Sequence, residues 1–277
     1  MKCKFRYDKA FSFFTILLLS GCGHIKNKTT SVESLNRKLV TTVKTGKVVG
    51  SDTVSLRLDT MLHDVLQYAR KHSDRKFYRK HLNLWDFQYQ SDAYLEFGKL
   101  FSSNKSLIVK SDLWGQTVAL DVFLLTDSSF KAIYHEDFEM SFIKYIIKDV
   151  NGDGAKDFLV DIYPASGCCL RNVFFVCLQS RGTLLPPVKL INPTFSPSEK
   201  LVRGIGYGQP GEVDLYKCKW DGFRLDTIEI ISPDKLKHQY HVYYSERERD
   251  YPEAGRYINR IPRDYQDIAG YDWFMGY

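Results

Sequence analysis

The sequence predicts a mainly β fold, an antiparallel sandwich or small barrel, with one N-terminal amphipathic helix and an irregular or helical C-terminal extension. Three observations predict it. Between Leu84 and Ser232, short apolar or alternating runs follow one another: AYLEFGKLF, SLIVKS, TVALDVFLLT, FKAIYH, SFIKYIIKDV, DFLVDIYP, NVFFVCLQ, KLVRGIGYG, EVDLYKCKW and FRLDTIEIIS. Turn clusters such as SSNKS, TDSS, NGDGAK, PASG, NPTFSPSE and WDGF separate them. No run in this stretch carries a helical period. Closely spaced strands without crossover helices pair antiparallel. A propeller would repeat its blade motif, and NGDG occurs once.

The first 21 residues stand apart from this fold. Lys2, Lys4, Arg6 and Lys9 against Asp8 form a positive start. The apolar run FSFFTILLLS follows. It is too short for a bilayer, which needs roughly 20 apolar residues, and it suits a signal peptide. Leu19-Ser20-Gly21-Cys22 resembles the lipobox of bacterial lipoproteins, in which the cysteine is acylated and becomes the mature N-terminus. The alternative is an ordinary secretory signal with a chance cysteine. The lipoprotein reading implies a membrane partner through the lipid on Cys22. It also implies a place in the cell envelope, at the outer membrane facing the periplasm. Removing residues 1–21 takes away four basic and one acidic residue, and the formal charge falls from +6 to +3. So small a charge argues neither for nucleic acid nor for an acidic-membrane patch.

Residues 22–54 are polar and rich in Lys, Thr and Ser, as a tether would be, and KLVTTVKTGKVV could hold a short strand within it. Residues 55–232 form the expected β-rich domain. It opens with SLRLDTMLHDVLQYARKH, where Leu58, Leu62, Val65, Leu66 and Ala69 recur at helical spacing. Residues 233–277 hold eight tyrosines and many paired charges. They are too aromatic for simple disorder and are expected to lie on the domain. His238 and His241 in this segment are expected to be solvated.

The stretch DVNGDGAKDF is the sharpest motif. Asp149, Asn151, Asp153 and Asp157 place side-chain oxygens at nearly every second position, with Gly152 and Gly154 free to turn the backbone. Calcium takes six to eight oxygen ligands. The expected set is the side chains of Asp149, Asn151, Asp153 and Asp157 with the Ala155 carbonyl. The loop begins like an EF-hand, but its twelfth position is Val160, where an EF-hand has a bidentate glutamate. The alternatives are a bare Asn-Gly or Asp-Gly turn, or magnesium or manganese.

A strand-loop-strand setting of this kind resembles the Asp-rich calcium loops of FG-GAP and VCBS-type β-proteins. Phe142 to Ile231 has a further likeness. DVNGDGAKDFLV, an aromatic strand, NPTFSPSEKLV and the KCKWDGFRL hairpin together resemble a family of calcium-binding periplasmic lipoproteins. Members of that family inhibit lysozyme or give immunity against wall-degrading effectors. The resemblance implies a small β-barrel or sandwich, structural calcium, and a lysozyme-like hydrolase as partner. It also implies an exposed Ser-Gly inhibitory loop, for which Ser166-Gly167 in PASGCC is the candidate. Cys168-Cys169 depart from the family pattern there.

The cysteines besides Cys3 and Cys22 are Cys168, Cys169, Cys177 and Cys218, and they include no CxxC pair. An oxidising compartment permits disulfides. One bridge from Cys168 or Cys169 to Cys177 or Cys218 is expected, with buried free thiols as the alternative. RGIGYGQPG precedes a strand, so it reads as a bulged hairpin and not as a phosphate loop. HEDFE lacks the second histidine of HExxH. Binding is the expected role, and the family resemblance sharpens it to inhibition of a wall hydrolase. A glycan-acting envelope enzyme and a structural or assembly lipoprotein are the rivals.

Overall fold

The structure is a computed structural model that describes residues 52–86, 89–113, 117–127, 129–139, 142–163, 172–251 and 253–277. The expected signal peptide, Cys22, nearly all of the expected tether with its KLVTTVKTGKVV stretch, and the PASGCC segment lie outside the described residues. Helix α1 (Asp52–Lys71) leads into a five-stranded antiparallel meander, β1 (Phe77–Asp86), β2 (Tyr89–Gly98), β3 (Ser106–Leu113), β4 (Thr117–Thr126) and β5 (Ser129–Glu139). A second sheet follows from β6 (Phe142–Lys148), β7 (Asp157–Ile162) and β8 (Val173–Cys177). The small β9 (Gln179–Ser180)–β10 (Thr183–Leu184) hairpin then precedes β11 (Val188–Ile191), which joins the second sheet beside β8. The third sheet is a six-stranded meander of β12 (Pro193–Ser196), β13 (Leu201–Ile205), β14 (Leu215–Asp221), β15 (Arg224–Asp234), β16 (Gln239–Tyr243) and β17 (Arg256–Ile258). The fold is mainly β and antiparallel, in packed open sheets, without a closed barrel among the described residues. No described helix is long and apolar enough to cross a membrane.

The sheets pack in series, and strand alternation assigns each face its own core. Met61, Val65 and Ala69 of α1, four residues apart, cover Leu95, Phe97, Leu107 and Val109. Ile108, between Leu107 and Val109, faces the other way, toward Phe158, Val160 and Cys177 of the second sheet. Leu159 and Val176 turn from that sheet to Val202, Cys218 and Trp220 of the third. Ile205, Leu215, Ile231 and Val242 form the far core with Tyr265, Ile268 and Phe274 of the C-terminal segment. Each fully buried large side chain contributes roughly 1.5–3 kcal/mol relative to exposure. Covering both faces also explains the nearly continuous apolar runs of TVALDVFLL and DFLV, which a one-sided strand would break with polar residues.

The C-terminal extension is held by its chemistry. Strand β15 runs through Pro233 to Asp234, and β16 and β17 extend the same sheet. The rest is irregular and helical: α2 (Glu246–Arg249), a 3₁₀ turn (Arg263–Tyr265) and α3 (Tyr271–Met275). Asp264 accepts from buried Arg203 at 3.1 Å and lies 3.0 Å from Lys217 Nζ, and the Tyr265 hydroxyl donates to Glu229. These charges are compensated inside a partly dry face, where an unpaired one would be costly.

Candidate metal centre

The loop between β6 and β7 is closed by the Lys148–Asp157 pair. Its tight course requires Gly152 and Gly154 at φ of +74° and +84°. Side chains fold inward onto its backbone. The Asp149 carboxylate accepts from the N–H groups of Gly152 (2.7 Å) and Gly154 (2.9 Å). Asn151 Oδ1 accepts from Asp153 N, and Asp153 Oδ1 accepts from Ala155 N at 2.8 Å. Buried Asn151 also donates to Asp153 Oδ2 at 3.0 Å and to the Gly222 carbonyl at 3.4 Å.

Asp157 is fully buried and accepts from Val150 N and Gln179 N, both at 2.9 Å. Burial pushes its carboxyl up to about 6. The two backbone donors oppose that rise, and the negative charges of Asp153 and Asp149 add to it. Asp149 and Asp153 therefore lie near enough for their charges to act on Asp157. Among the described residues, no three His, Cys, Asp or Glu side chains converge as a metal-holding group. Each carboxylate offers about four acceptor positions. The bonds above use two on each of Asp149, Asp153 and Asp157, so hard-oxygen capacity remains for a cation. The donor set, all oxygen and mostly anionic, suits calcium by chemistry.

The loop is fixed from outside as well. A Cβ on Gly152 would overlap the carbonyl oxygen of Pro197, in the 3₁₀ turn Pro197–Glu199. Gly222, which receives Asn151, forms the two-residue turn of the β14–β15 hairpin with Phe223. Thus DVNGDG, NPTFSPSE and WDGF, separate in sequence, meet at one end of the sheets.

Other expected features fall as follows. Cys22, Ser166, Gly167, Cys168 and Cys169 lie outside the described residues. Cys177 and Cys218 are buried and free, with no disulfide among the described residues; their expected partners lie outside these. They point into different cores, Cys177 toward the first sheet and Cys218 toward the interface of the second and third. His135 of HEDFE bonds Asp121 at 2.7 Å. His238 is exposed, as expected. His241 is not solvated: it is 6% exposed, stacked on Tyr257 and bonded to Tyr243 and to the Ala254 carbonyl. No local sequence signal marked its burial, because residues from a distant loop cover it.

The chain matches no protein-family model, no curated protein and no solved structure.

Proposed function

We propose that this chain is a lipid-anchored envelope protein that binds calcium structurally in the Asp149–Asp157 loop and acts as a binding module. In its sharper form it inhibits, or gives immunity against, a wall hydrolase of the lysozyme class. The single observation behind the reading is the oxygen-rich loop seated between the Pro197 turn and the Gly222 hairpin. A dication there would offset the repulsion that Asp149 and Asp153 exert on Asp157 and brace the junction of β6, β7 and the third sheet. Cys22 would carry the lipid, and Ser166-Gly167 would supply the partner loop.

Thermal melts of the detergent-solubilised full-length chain, in calcium and in chelator, test the metal. Calcium at about a hundred times Kd adds roughly 2.7 kcal/mol. Asp153→Ala should abolish most of that gain. Asp161→Asn, past the loop on β7, should keep it. A wild-type melt unmoved up to about 5 mM calcium, well above the 10⁻⁴–10⁻³ M range of extracellular modules, would reduce the loop to a turn. Residual lysozyme activity at increasing molar ratios of the chain tests the partner. Activity unchanged at excess, with calcium present, would end the inhibitor reading and leave the metal site standing.

A further inference from the structure

We propose that a cleft of about 440 Å³ on the third sheet is a second ligand site, and that it takes a primary ammonium or guanidinium head on a short apolar stem, as a lysine or arginine side chain presents. It lies where the loop before β14 meets the β15–β16 hairpin and β17, and its lining includes Asp214, Asp234, His241 and Tyr243. His241 and Tyr243 flank Val242, which belongs to the far core, so they project from the opposite face of β16.

The hydrogen bonds fix what this wall can offer. The Ala254 carbonyl can only accept, so His241 Nε2 carries the proton in their 2.6 Å bond. In the neutral ring Nδ1 is then an acceptor, and the Tyr243 hydroxyl, 3.0 Å away, donates to it. Tyr243 Oη thereby spends its only proton inward and keeps lone pairs for a donor. Backbone fit maintains this arrangement. Gly255 has φ +78°, and a Cβ on it would overlap the Val242 carbonyl, so only glycine lets the loop bring Ala254 against His241.

The carboxylates are partnered unequally. Three carboxylates line the cleft, Glu212, Asp214 and Asp234, with one lining ammonium, Lys235, and the Lys237 and Arg249 cations beside it. Lys235 is held by Glu212 at 2.9 Å, and Asp214 is held by Arg249 at 3.2 Å. Asp234 is different. Its Oδ1 accepts from Leu236 N and Lys237 N, and its Oδ2 has no hydrogen bond or ion pair among the described residues. The site is thus rich in acceptors around one carboxylate oxygen that no donor holds, with the Lys237 ammonium near enough to feel its charge.

Aromatic geometry decides between a cation and a sugar. His241 stacks on Tyr257 with ring centres 4.3 Å apart, and Lys237 Nζ lies 4.0 Å from the Tyr257 centroid. The Tyr257 ring thus already carries two partners, which leaves less of it open to a sugar ring. The electron-rich wall already holds one ammonium of the chain itself.

Calorimetry on the full-length chain would use Nα-acetyl-lysine methylamide, its uncharged norleucine analogue and the neutral sugar chitotriose. Saturable binding of the lysine probe is expected, weakened by added salt, with the norleucine analogue at least tenfold weaker. Asp234→Asn preserves the Oδ1 acceptor for the two backbone donors. Tyr243→Phe preserves the stack on His241. Each should weaken the lysine probe by about tenfold, the scale of one hydrogen bond to a charged group, with the melt unchanged within a few degrees. No saturable binding to tens of millimolar, or equal affinity in wild type and both variants, would overturn the site. Chitotriose binding more tightly than the lysine probe, and lost in Tyr243→Phe, would overturn the ligand class.

Discussion

Replacing Gly152 by alanine, with Gly154→Ala beside it, separates backbone strain from steric overlap in the acidic loop. Both glycines sit in the left-handed region, where an L-residue costs roughly 1–2 kcal/mol. Alanine also restricts the unfolded chain, which returns about 0.4–1 kcal/mol at either position. Around Gly154 nothing lies within 4 Å of the added methyl, so the net loss there is about 1 kcal/mol. Around Gly152 the methyl overlaps the Pro197 carbonyl, whose oxygen already receives Lys200 N at 3.0 Å. Relief means shifting that turn and straining or losing its bond, at about 1 kcal/mol, on top of an overpacking cost of about 1–3 kcal/mol. The expected difference between the two variants is about 3 kcal/mol. At about 2–4 °C per kcal/mol for a chain of this size, Gly152→Ala should melt roughly 6–12 °C below Gly154→Ala. Differential scanning calorimetry in chelator, with no metal to confound the loop, reads this directly. Equal midpoints would mean that the loop does not seat on the Pro197 turn, and the meeting of the three motifs would fail with it.

His135 should give a pH signature. Its hydrogen bond to Asp121 raises its pKa; burial opposes this, and the charges of Asp121, Asp137 and Glu136 reinforce it. The folded state thus binds the proton more tightly than the unfolded state. The stabilisation is complete below the usual histidine value near 6.5 and disappears as pH rises through the folded value. The imidazole is more than half exposed, so the gain is at most about 1 kcal/mol. The melting advantage of wild type over His135→Gln should shrink from pH 5.5 to 8.5, and a constant difference would contradict the pairing. Burial pushes the Cys177 thiol up to about 12 and raises that of Cys218 as well. Mass analysis of alkylated, unreduced native protein should find both unmodified, with reaction only after denaturation. A disulfide at either would refute their burial as free thiols. Cys22→Ser should yield an unprocessed or soluble product on membrane fractionation, and a mature product still sedimenting with membrane would place the anchor elsewhere.

The interior of this fold was readable because its strands are covered on both faces. FLVDI, VFFVC and ALDVFLL carry apolar residues at successive positions, and such runs mark strands without any alternation. β1 was missed for the opposite reason. In FYRKHLNLWD the face opposite Tyr78 carries Arg79 and His81, and these side chains bond Glu96 and Asp92 on the neighbouring strand. Those cross-strand partners are invisible along the chain. β12 was taken for a turn because Pro193 and Pro197 bracket it, yet proline is tolerated at the start of an edge strand. The acidic loop was legible because its spacing is local. Its contacts with Pro197 and Gly222 were not, since they depend on how the second and third sheets stack. His241 was misjudged by the polar character of its neighbours, whereas strand pairing and the Gly255 approach set its burial.

The consecutive order of strands within the sheets has a kinetic consequence. In the first and third sheets every hydrogen-bonded neighbour is the next strand in the chain, and in the second only β8 to β11 skips a hairpin. Pairing therefore needs short loop closures, and low contact order favours rapid folding for a β protein. A chain delivered from its N-terminus can finish the α1-covered meander while residues beyond Glu139 are still unfolded, and each completed sheet then presents the face on which the next condenses. The last segment to arrive, carrying Tyr265 and Phe274, seals the far core. Truncation from the C-terminus would thus strip one layer of protection at a time from hydrogen exchange, beginning with the third sheet.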